Sequence, residues 1–537
     1  MKQELHSTRR VSLYDATLRD GMQGAGINFS ESGRIRFAHL LDEFGIDFIE
    51  GGFAGSTPSY RRFFELAKRE HFVHAKIVAF GSTRRARVSV EEDEQLKELL
   101  QAEAEYVAIF GKSSMLHVSD VLGVTAEMNL RMIEESVAFL TARGRKVFFD
   151  AEQFFDGYKQ DAAYAMRTLE TAQSAGAVGL VLCDTNGGCL PHEIFATVQT
   201  VVAKFPQTCI AIHSHNDSGM AVACSIEAVR AGVSQVQGCI NGYGERTGNA
   251  DLISIIPALE LKMNLPCIGT GQLQNLRTVS IVADDLTNLR PNPSAPYVGR
   301  DAFCHKAGTH ANAVMKNPKT FEHVEPESVG NQRQFVLSEQ SGGAIVRQKA
   351  KELGLDISKS DPKLIRSVLK EIKQRELDGF AYEAADGSFK ILLEKMMKKH
   401  TPAFELDGFR VIVEKRGKDE PCLSEATIKV RVNGKEELTA GEGHGPVDAL
   451  NEAMRKALTH FYPEIEHVQL TDFRVRILDP QDATRAQTRV VIESSDGTRQ
   501  WGTVGVSENI IEASWQALLD SVEYKLLDAS RNRESRE

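Results

Sequence analysis

CIAIHSHND, at residues 209–217, is the stretch that decides how this chain is interpreted. Its first four residues are apolar and partly β-branched, which predicts a buried strand. Side chains at positions i and i+2 of a strand point to the same side, so His213 and His215 could bind one divalent cation where that strand ends. Two loop histidines that stand close by chance are the alternative. A third ligand from elsewhere in the chain would favour the metal.

Short apolar runs of the same kind recur along the first half of the chain. Eight of them predict strands covered on both faces, at Val11–Thr17, Phe48–Gly52, Ala75–Phe80, Tyr106–Phe110, Lys146–Ala151, Gly179–Cys183, Cys209–His213 and Gln235–Ile240. Amphipathic helical patterns lie between them, at Glu31–Phe44, Glu91–Ala102, Ala126–Ala142, Ala162–Ala175, Glu193–Lys204 and Gly219–Ala231. Eight strand–helix units in about 250 residues predict a closed (β/α)8 TIM barrel. A doubly wound open sheet is the competing fold, but eight regular units favour closure.

Polar side chains follow five of these strands. In a (β/α)8 barrel the chemistry lies on the loops that follow the strands. The candidates are Arg19 and Asp20 after strand one, Asp150 and Glu152 at the end of strand five, Thr185 after strand six, His213 and His215 on strand seven, and Gly242–Asn249 after strand eight. These groups are far apart in sequence, yet the fold would gather them at one mouth. The sequence therefore predicts an active site there.

Asp20, His213 and His215 form a mixed oxygen and nitrogen ligand set. The set has no thiolates, so a closed structural zinc site is not indicated. Three protein ligands leave positions open for substrate and water, and Mg²⁺, Mn²⁺ or Zn²⁺ would all be acceptable. Asn249 could be a fourth ligand through its amide oxygen. A 2-oxo acid suits such a site, because its keto and carboxylate oxygens can chelate a metal that polarises the ketone.

Each neighbouring residue has two interpretations. Arg19 could steady a carboxylate or a developing enolate, or form an ion pair with a neighbouring loop. Glu152 is a candidate general base, if burial makes its carboxylate basic enough, or a buried carboxylate that holds Arg19 or a backbone amide. Thr185 could donate its hydroxyl to the substrate carboxylate, or form a turn with residues 186–188. Gly242–Asn249 lacks the Gly-Lys-Ser/Thr ending of a phosphate loop; it either lets backbone approach a bulky ligand or is a plain long turn.

The composition limits the class of protein. The 537 residues are too many for one core, so two or three domains are expected. A net charge of −10 opposes binding to the negatively charged backbone of nucleic acid, so no nucleic-acid partner is expected. No apolar run approaches the ~20 residues that span a bilayer, and the N-terminus lacks the apolar stretch of a secretion signal. The eight cysteines show no Cys-x-x-Cys pairing and indicate reduced thiols in a cytoplasmic protein.

The second half predicts two further regions. The barrel is assigned to residues 8–270. A mostly helical linker is assigned to 271–403. The proline-rich stretch 291–296 marks a break after the barrel, and Asp361–Lys373 and Phe389–Lys398 have helical spacing. An α+β domain at 404–530 contains an internal strand–strand–helix repeat. Its copies are Thr427–Val432, Glu436–Ala440 and Val447–Phe461, then Thr488–Glu493, Gln500–Val506 and Ile510–Leu526.

Several stretches resemble one known family. YDATLRDGMQ (14–23), HSHND (213–217) and GYGERTGN (242–249) resemble the signatures of the 2-isopropylmalate, homocitrate and citramalate synthases. Four more look most like the long-chain bacterial and archaeal citramalate synthases: FDAE (149–152), LCDTNGG (182–188), AFCHKAGTH (302–310) and VMKNP (314–318). Ala16 and Gly342-Gly343-Ala344 depart from the family pattern, and the second departure puts contacts on the CoA side in doubt.

The resemblance implies a Claisen-type condensation of acetyl-CoA with metal-bound pyruvate, followed by thioester hydrolysis to (R)-citramalate and CoA in isoleucine biosynthesis. It implies that Asp20, His213 and His215 bind the metal, with Asn249 in or beside that shell. Arg19 would contact substrate, Thr185 would hold its carboxylate and Glu152 would take part in proton abstraction. Phe80, Phe110 and Asp150 would close the keto-acid pocket around a methyl group, although one methylene changes discrimination by only ~1–3 kcal/mol.

The resemblance also implies an assembly and its regulation. His310 resembles a histidine that reaches the active site of the neighbouring subunit, so an intertwined homodimer is expected. The C-terminal repeat resembles a regulatory domain, for which isoleucine is the expected inhibitor and a purely structural dimerisation domain the alternative. Three other functions stay open: a 2-isopropylmalate or homocitrate synthase acting on a larger 2-oxo acid, a metal-dependent aldolase or lyase, and an amino-acid sensor with an inactive barrel.

Overall fold

The computed structural model describes residues 9–357, 362–478 and 486–534, which form two compact units. The first unit runs to Phe303 and includes Val324–Gln332. The second contains Cys304–His323 and the described residues from Arg333 onward. Residues 271–303, which the sequence analysis placed in the linker, therefore lie in the same unit as the predicted barrel.

Eight parallel strands close into a barrel in the first unit. Strands β1 to β8 are Ser12–Asp15, Phe48–Phe53, Lys76–Ser82, Tyr106–Lys112, Lys146–Glu152, Gly179–Asp184, Cys209–Ser214 and Gln235–Gly238. Each strand pairs with the next one along the chain, and β8 pairs back onto β1 with Gln235 opposite Ser12. All eight predicted strands are confirmed, and the closed barrel rather than the open sheet is the fold.

The helices of the first unit connect these strands and extend beyond them. Helices α1 to α10 are Glu31–Phe44, Pro58–Ala67, Glu94–Gln101, Ala126–Thr141, Phe154–Gln160, Ala162–Ser174, Pro191–Lys204, Ala221–Ala231, Leu252–Pro257 and Leu276–Thr287. The bounds of α1 are those predicted, because both ends carry clear signals. The Ser30 side chain accepts from Gly33 N at its start, and Gly45, with φ of 98°, ends it. The tenth helix follows the barrel and packs on α1.

Burial explains why the strands place chemistry at one end. In β7, Ile210, Ala211 and Ile212 are almost fully buried in the apolar core of the barrel. The same strand ends in His213, which is 5% exposed. Parallel strands align their carboxyl ends, so the polar residues there share one mouth.

The second unit begins with a helical region. Its elements are β9 (Cys304–His305), α11 (Gly308–Lys316), β10 (Gln334–Phe335), α12 (Gly343–Glu352), α13 (Pro362–Leu377) and α14 (Asp386–Met396). β9 and β10 form a short parallel pair. The two helices predicted here are confirmed as α13 and α14, although Asp361 lies outside the described residues.

The C-terminal part of this unit contains the predicted repeat. The first copy is β11 (Glu405–Glu414), β12 (Leu423–Val432), β13 (Lys435–Gly443) and α15 (Pro446–Thr459). The second is β14 (Gln469–Ile477), β15 (Thr488–Ser495), β16 (Gln500–Ser507) and α16 (Ile510–Glu534). Both antiparallel sheets follow chain order, and the two copies share one apolar core.

Each copy begins with a strand that the sequence analysis missed. The residues of β11 and β14 are mostly exposed, whereas alternate residues of β12 are buried. In β14 the apolar residues of 473–477 alternate with arginines, so a period-two signal was present and was overlooked. The predicted strand–strand–helix unit is thus the buried part of a strand–strand–strand–helix unit.

Candidate active site

A cavity of about 280 Å³ opens at the carboxyl end of the barrel strands. Its lining residues are Arg19, Asp20, Gln23, Phe53, Phe80, Phe110, Asp150, Glu152, Cys183, Thr185, His213, His215, Glu245 and Arg246. Nine of them are residues that the sequence analysis had named as site candidates. The prediction that distant strand ends converge at one mouth is therefore met for these nine.

Asp20 and the two histidines form a compact ligand set. Their potential ligand atoms all lie within 4.8 Å of one another. Oδ2 of Asp20 is 3.4 Å from Nε2 of His213 and 3.7 Å from Nε2 of His215. The arrangement places one carboxylate and two imidazoles around a single point, as a divalent cation requires.

Each imidazole is oriented by its other nitrogen. Nδ1 of His213 lies 3.0 Å from Oε1 of Gln237, and Nδ1 of His215 lies 2.6 Å from the carbonyl oxygen of Thr185. The Gln237 amide oxygen can only accept, which assigns the proton of His213 to Nδ1 and leaves the Nε2 lone pair of that ring facing Asp20. This is how a neighbouring acceptor commonly fixes a metal-binding histidine. Nδ1 of His215 also lies 2.8 Å from Nη2 of Arg246, so this ring is positioned by both the Thr185 carbonyl and the Arg246 guanidinium.

Two buried atoms near this set lack partners in the described part of the chain. They are Nε2 of His215 and Oδ1 of Asn249. Asn249 is 2% exposed, and its backbone pairs with that of His215. A buried polar atom without a hydrogen bond is costly, and a bound cation would remove the cost for both. The residues therefore fit a divalent metal ion with oxygen and nitrogen ligands.

Asp20 is ionised in this environment. Burial opposes ionisation, but the Arg19 guanidinium beside the carboxylate is the main cause that holds the pKa of Asp20 well below its usual value. The carboxylate is thus ready to bind a cation without first losing a proton.

Arg19 is held in a buried network. Its Nε donates to Oε2 of Glu50 over 2.6 Å, and its Nη1 donates to Oδ2 of Asp20 over 3.0 Å. The other carboxylate oxygen of Glu50 accepts from the Tyr14 hydroxyl over 2.7 Å. Burial alone would lower the pKa of Arg19, but Glu50 and Asp20 raise it, so the residue stays cationic. The ion pair considered for Arg19 exists; one partner, Glu50, lies inside β2, and the other, Asp20, is its neighbour in the loop after β1.

Aromatic rings form one wall of the cavity. The Arg19 guanidinium lies 3.7 Å from the ring centroid of Phe80. Phe80 stacks on Phe110 with centroids 5.7 Å apart, and Phe53 meets Phe80 edge-on at 5.6 Å. Arg19 is thereby held flat against an apolar surface. Sequence analysis missed Phe53, although it stands one residue beyond a predicted strand.

Asp150 is a buried carboxyl group in the same cavity. It is 4% exposed, and its Oδ1 has no partner among the described residues. Burial and the nearby Glu50 carboxylate raise the pKa of Asp150 well above its usual value, against the opposing effect of Arg19. Burial thus favours the protonated form of Asp150, which is the form that can donate a hydrogen bond.

Glu152 and Thr185 also reach the cavity. Glu152 accepts from Nζ of Lys112, and its side chain is 25% exposed. The burial considered in the sequence analysis is thus incomplete, and its partner is neither Arg19 nor a backbone amide. The Thr185 hydroxyl accepts from Gln153 N over 2.9 Å, which leaves its own proton free to donate.

The loop after β8 is closely packed near the ligand set. Gly244 has φ of 150° and Gly248 has φ of 91°. A Cβ at Gly244 would overlap Nδ2 of Asn249, and one at Gly248 would overlap the carbonyl oxygen of Gly242. Arg246, in the same loop, donates to Asp217 over 2.7 and 3.0 Å and to the Thr185 carbonyl over 3.0 Å. These glycines are required by close approach within the loop itself.

Other residues that sequence reasoning missed support the site from within strands. Glu50 and Gln237 are polar residues inside the predicted runs Phe48–Gly52 and Gln235–Ile240. That contrast was the available signal, because a polar side chain in a buried strand must point at a partner. Lys112 stands two residues beyond the predicted run Tyr106–Phe110 and was equally visible.

His310 belongs to the second unit. It lies on α11, is exposed, and its ring stacks on Phe321 with centroids 4.2 Å apart. Its expected role in the active site of a neighbouring subunit stays a prediction.

No helix among the described residues is long and apolar enough to cross a membrane.

The closed barrel and its ligand set define a class: a (β/α)8 enzyme with a candidate divalent-metal centre at the mouth of its strands. Residues 10–281 match the HMGL-like family model. Residues 297–377 match the homocitrate synthase post-HMGL domain-like model, and 383–526 match the LeuA allosteric (dimerisation) domain.

Curated relatives extend the match over nearly the full length. The chain is 50% identical over 516 residues to an (R)-citramalate synthase from Geobacter sulfurreducens, which covers 96% of this chain and 97% of the relative. It is 48% identical over 518 residues to one from Aquifex aeolicus, covering 96% and 98%. A probable 2-isopropylmalate synthase from Methanopyrus kandleri is 29% identical over 515 residues, covering 96% and 98%. The chain belongs to the (R)-citramalate synthase family.

Proposed function

We propose that this protein catalyses the condensation of acetyl-CoA with pyruvate, followed by hydrolysis of the thioester to (R)-citramalate and CoA. The observation that carries the proposal is the set of Asp20, His213 and His215, which lies beside Arg19 in a cavity with an aromatic wall. Five curated relatives at 43–50% identity carry the name of this activity. A synthase for a larger 2-oxo acid and an inactive sensor are not favoured.

The ligand set and Asn249 would hold Mg²⁺, Mn²⁺ or Zn²⁺. Such an ion, when bound, acts as a Lewis acid that draws electron density from the keto group of pyruvate. Asp20 stays ionised, and the Gln237 acceptor beside His213 keeps the Nε2 lone pair of that imidazole available. These residues therefore provide a ready site for the ion rather than one that must form on binding.

Arg19 and Thr185 are suited to orient pyruvate. The Thr185 hydroxyl can donate its proton to the substrate carboxylate, because it accepts from Gln153 N. Arg19 uses Nε and Nη1 on Glu50 and Asp20, and its Nη2 can approach negative charge that develops in the cavity. The wall of Phe53, Phe80 and Phe110 would receive the methyl group of pyruvate.

Glu152 is suited to start the carbon–carbon bond. Its carboxylate would take a proton from the acetyl methyl group, and the C–H electron pair would form the new bond to the keto carbon. The π electron pair of the keto group would move to its oxygen, which takes up a proton to become the hydroxyl group of the product. Lys112 forms an ion pair with Glu152 and would hold its carboxylate in position. Water then cleaves the thioester, which releases CoA as the thiol and leaves a carboxylate on citramalate.

The test is a thiol-release assay on the full chain with added Mn²⁺. Acetyl-CoA is paired in turn with pyruvate, 2-oxobutyrate, 2-oxoisovalerate and 2-oxoglutarate, and the product is identified by mass spectrometry. We expect the highest kcat/KM with pyruvate and citramalate as its product. Release only with a larger oxo acid would replace the proposal with another synthase. Pyruvate formed from citramalate without CoA would indicate a lyase, and no release with any acid would favour a sensor.

The C-terminal domain is proposed to make the enzyme dimeric and responsive to isoleucine. The match to a LeuA allosteric (dimerisation) domain supports both. His310 would then complete the active site of the other subunit. Light scattering should give a homodimer. Isoleucine should inhibit more strongly than valine or leucine, and equal effects of all three would contradict the proposed ligand.

A further inference from the structure

The loop after β8 is tied to a helix that lies outside the barrel. Nδ2 of Asn241 donates to Oδ1 of Asp284 over 2.9 Å and to the Ser280 carbonyl over 3.0 Å. The Ser280 hydroxyl donates back to Oδ1 of Asn241 over 2.7 Å, and the Tyr243 hydroxyl donates to Asp284. Asp284, on α10, is 6% exposed. One buried carboxylate therefore accepts two hydrogen bonds from the loop.

The same tyrosine contacts Asn249 through its backbone. The Tyr243 carbonyl accepts from Nδ2 of Asn249 over 2.9 Å. That bond uses the nitrogen end of the amide and leaves Oδ1 as the end without a partner in the described residues. The side chain cannot turn its amide over without losing this bond. The Tyr243 carbonyl thus fixes the orientation of the Asn249 amide and leaves its Oδ1 available.

The backbone of this loop is not in a conformation that it would adopt unaided. Asn241 and Arg246 have φ of 57° and 55°, in the left-handed region that non-glycine residues rarely occupy. Such conformations persist only when the surroundings determine them. The hydrogen bonds to α10 hold the part of the loop that contains Asn241 and Tyr243 in this conformation.

We propose that Asp284 is a positioning residue for the metal site. It fixes Tyr243, whose carbonyl fixes Asn249 with its amide oxygen available as a fourth ligand. This inference rests on the proposed function only in taking the ligand set to hold a divalent cation. Asp284 itself contacts neither substrate nor metal.

The test measures metal affinity without turnover. The full chain is stripped with EDTA and titrated with Mn²⁺, and free Mn²⁺ is followed by electron paramagnetic resonance. We expect Asp284→Ala and Tyr243→Phe each to weaken Mn²⁺ binding by ~10–100-fold, the usual cost of removing a group that orients a ligand. Asp284→Asn keeps an acceptor oxygen and should restore most of the affinity. Asp285→Ala, an exposed neighbour on the same helix, is the matched control and should change it less than twofold.

A double-mutant cycle separates positioning from a general structural role. If Asp284 acts through Asn249, the pair Asp284→Ala with Asn249→Ala should bind Mn²⁺ no more weakly than Asn249→Ala alone. Additive losses would overturn the inference, as would wild-type affinity in Tyr243→Phe or a wild-type chain that binds no Mn²⁺. Should Asp284→Ala fail to fold, the cycle is run with Tyr243→Phe. A chain that binds Mn²⁺ yet releases no CoA overturns the proposed function and leaves this test intact.

Discussion

Nε of Arg19 donates to Oε2 of Glu50 over 2.6 Å, and the two side chains are only 8% and 1% exposed. Removing one partner of a buried ion pair leaves the other uncompensated. We therefore expect Glu50→Gln to lower kcat/KM for pyruvate by ~10–100-fold, about 1.4–2.7 kcal/mol, because Arg19 loses its charge partner and its orientation. Steady-state thiol release measures this effect.

The control for Glu50 is a pair of the same type at the surface. Glu98→Gln breaks the contact with Arg61, whose side chain is 55% exposed. Such surface substitutions change stability by less than ~0.5 kcal/mol, so kcat/KM should stay unchanged. Equal losses in the two variants would contradict a special role for the buried pair.

His213→Ala should remove turnover while leaving the barrel folded. Loss of a ligand leaves Asp20 and His215 without the third member of the set, so we expect kcat to fall by ~1000-fold or more, about 4 kcal/mol. Circular dichroism and Mn²⁺ titration distinguish this outcome from unfolding. His192→Ala, at an exposed position of α7, is the control. Retained activity in His213→Ala would refute the metal assignment.

Phe110→Ala should broaden the choice of oxo acid. The ring occupies the wall that faces the expected methyl group, and one methylene in such a pocket is worth ~1–3 kcal/mol, or 10–200-fold. We expect the ratio of kcat/KM for pyruvate to that for 2-oxobutyrate to fall at least ~10-fold. Phe195→Ala, on the outer helix α7, should leave the ratio unchanged. An unchanged ratio in Phe110→Ala would mean that residues other than Phe110 determine the oxo-acid preference.

Arg246→Met should raise KM for pyruvate more than it lowers kcat. Arg246 donates to Asp217 and to the Thr185 carbonyl, and its Nη2 also lies 2.8 Å from Nδ1 of His215. Without these contacts of Arg246, the loop that contains Thr185 is held less firmly. We therefore expect KM for pyruvate to increase ~10-fold, about 1.4 kcal/mol. Lysine cannot reproduce the two-pronged contact, so Arg246→Lys should recover only part of it. Arg230→Met, which breaks an exposed pair with Glu227, is the control.

The C-terminal domain should lose stability as pH rises. Burial raises the pKa of Glu523 from 4.5 to about 7. The folded state therefore binds this proton more tightly than the unfolded state, so the stabilisation is complete below pH 4.5 and is lost as pH rises through 7. Glu523→Gln can still accept from Nε2 of His400, which lies 2.9 Å from the carboxylate. It should stabilise the domain at pH 8 by up to about 3 kcal/mol.

Calorimetry at pH 5.5 and pH 8 measures this shift. The melting transition of the C-terminal domain should move to lower temperature at pH 8 in the wild type and move less in Glu523→Gln. Glu512→Gln, exposed on the same helix, should behave as the wild type. A Glu523→Gln protein that is as pH-sensitive as the wild type would contradict the assignment.

The barrel could be predicted from sequence because its strands are buried on both faces. Continuous apolar runs such as Gly179–Cys183 leave little ambiguity, and strand ends then identify Asp20, His213 and His215. The strands β11 and β14 are mostly exposed, and the sequence analysis passed over them although the apolar residues of 473–477 alternate with arginines. The structure shows them as edge strands that pair with β12 and β15.

The supporting residues of the site were harder to predict for a different reason. Gln237 and Glu50 acquire their roles only when strands far apart in sequence become neighbours. Asp284 lies beyond the last strand, in a region that the sequence analysis assigned to the linker. Its contact with Tyr243 depends on the packing of α10 against the barrel, which no local pattern encodes. Glu152 shows the converse, because its position was foreseen but its exposure and its lysine partner were not.

The crowding around Gly244 and Gly248 bears on how this enzyme would respond to random mutation. Neither glycine carries a functional group, yet any larger side chain would collide with Asn249 or with the main chain at Gly242. In a saturation library selected for growth, both positions should be as intolerant as the histidines. A survey that ranks residues by their intolerance to mutation would then place these two glycines, whose side chains are single hydrogen atoms, beside the metal ligands.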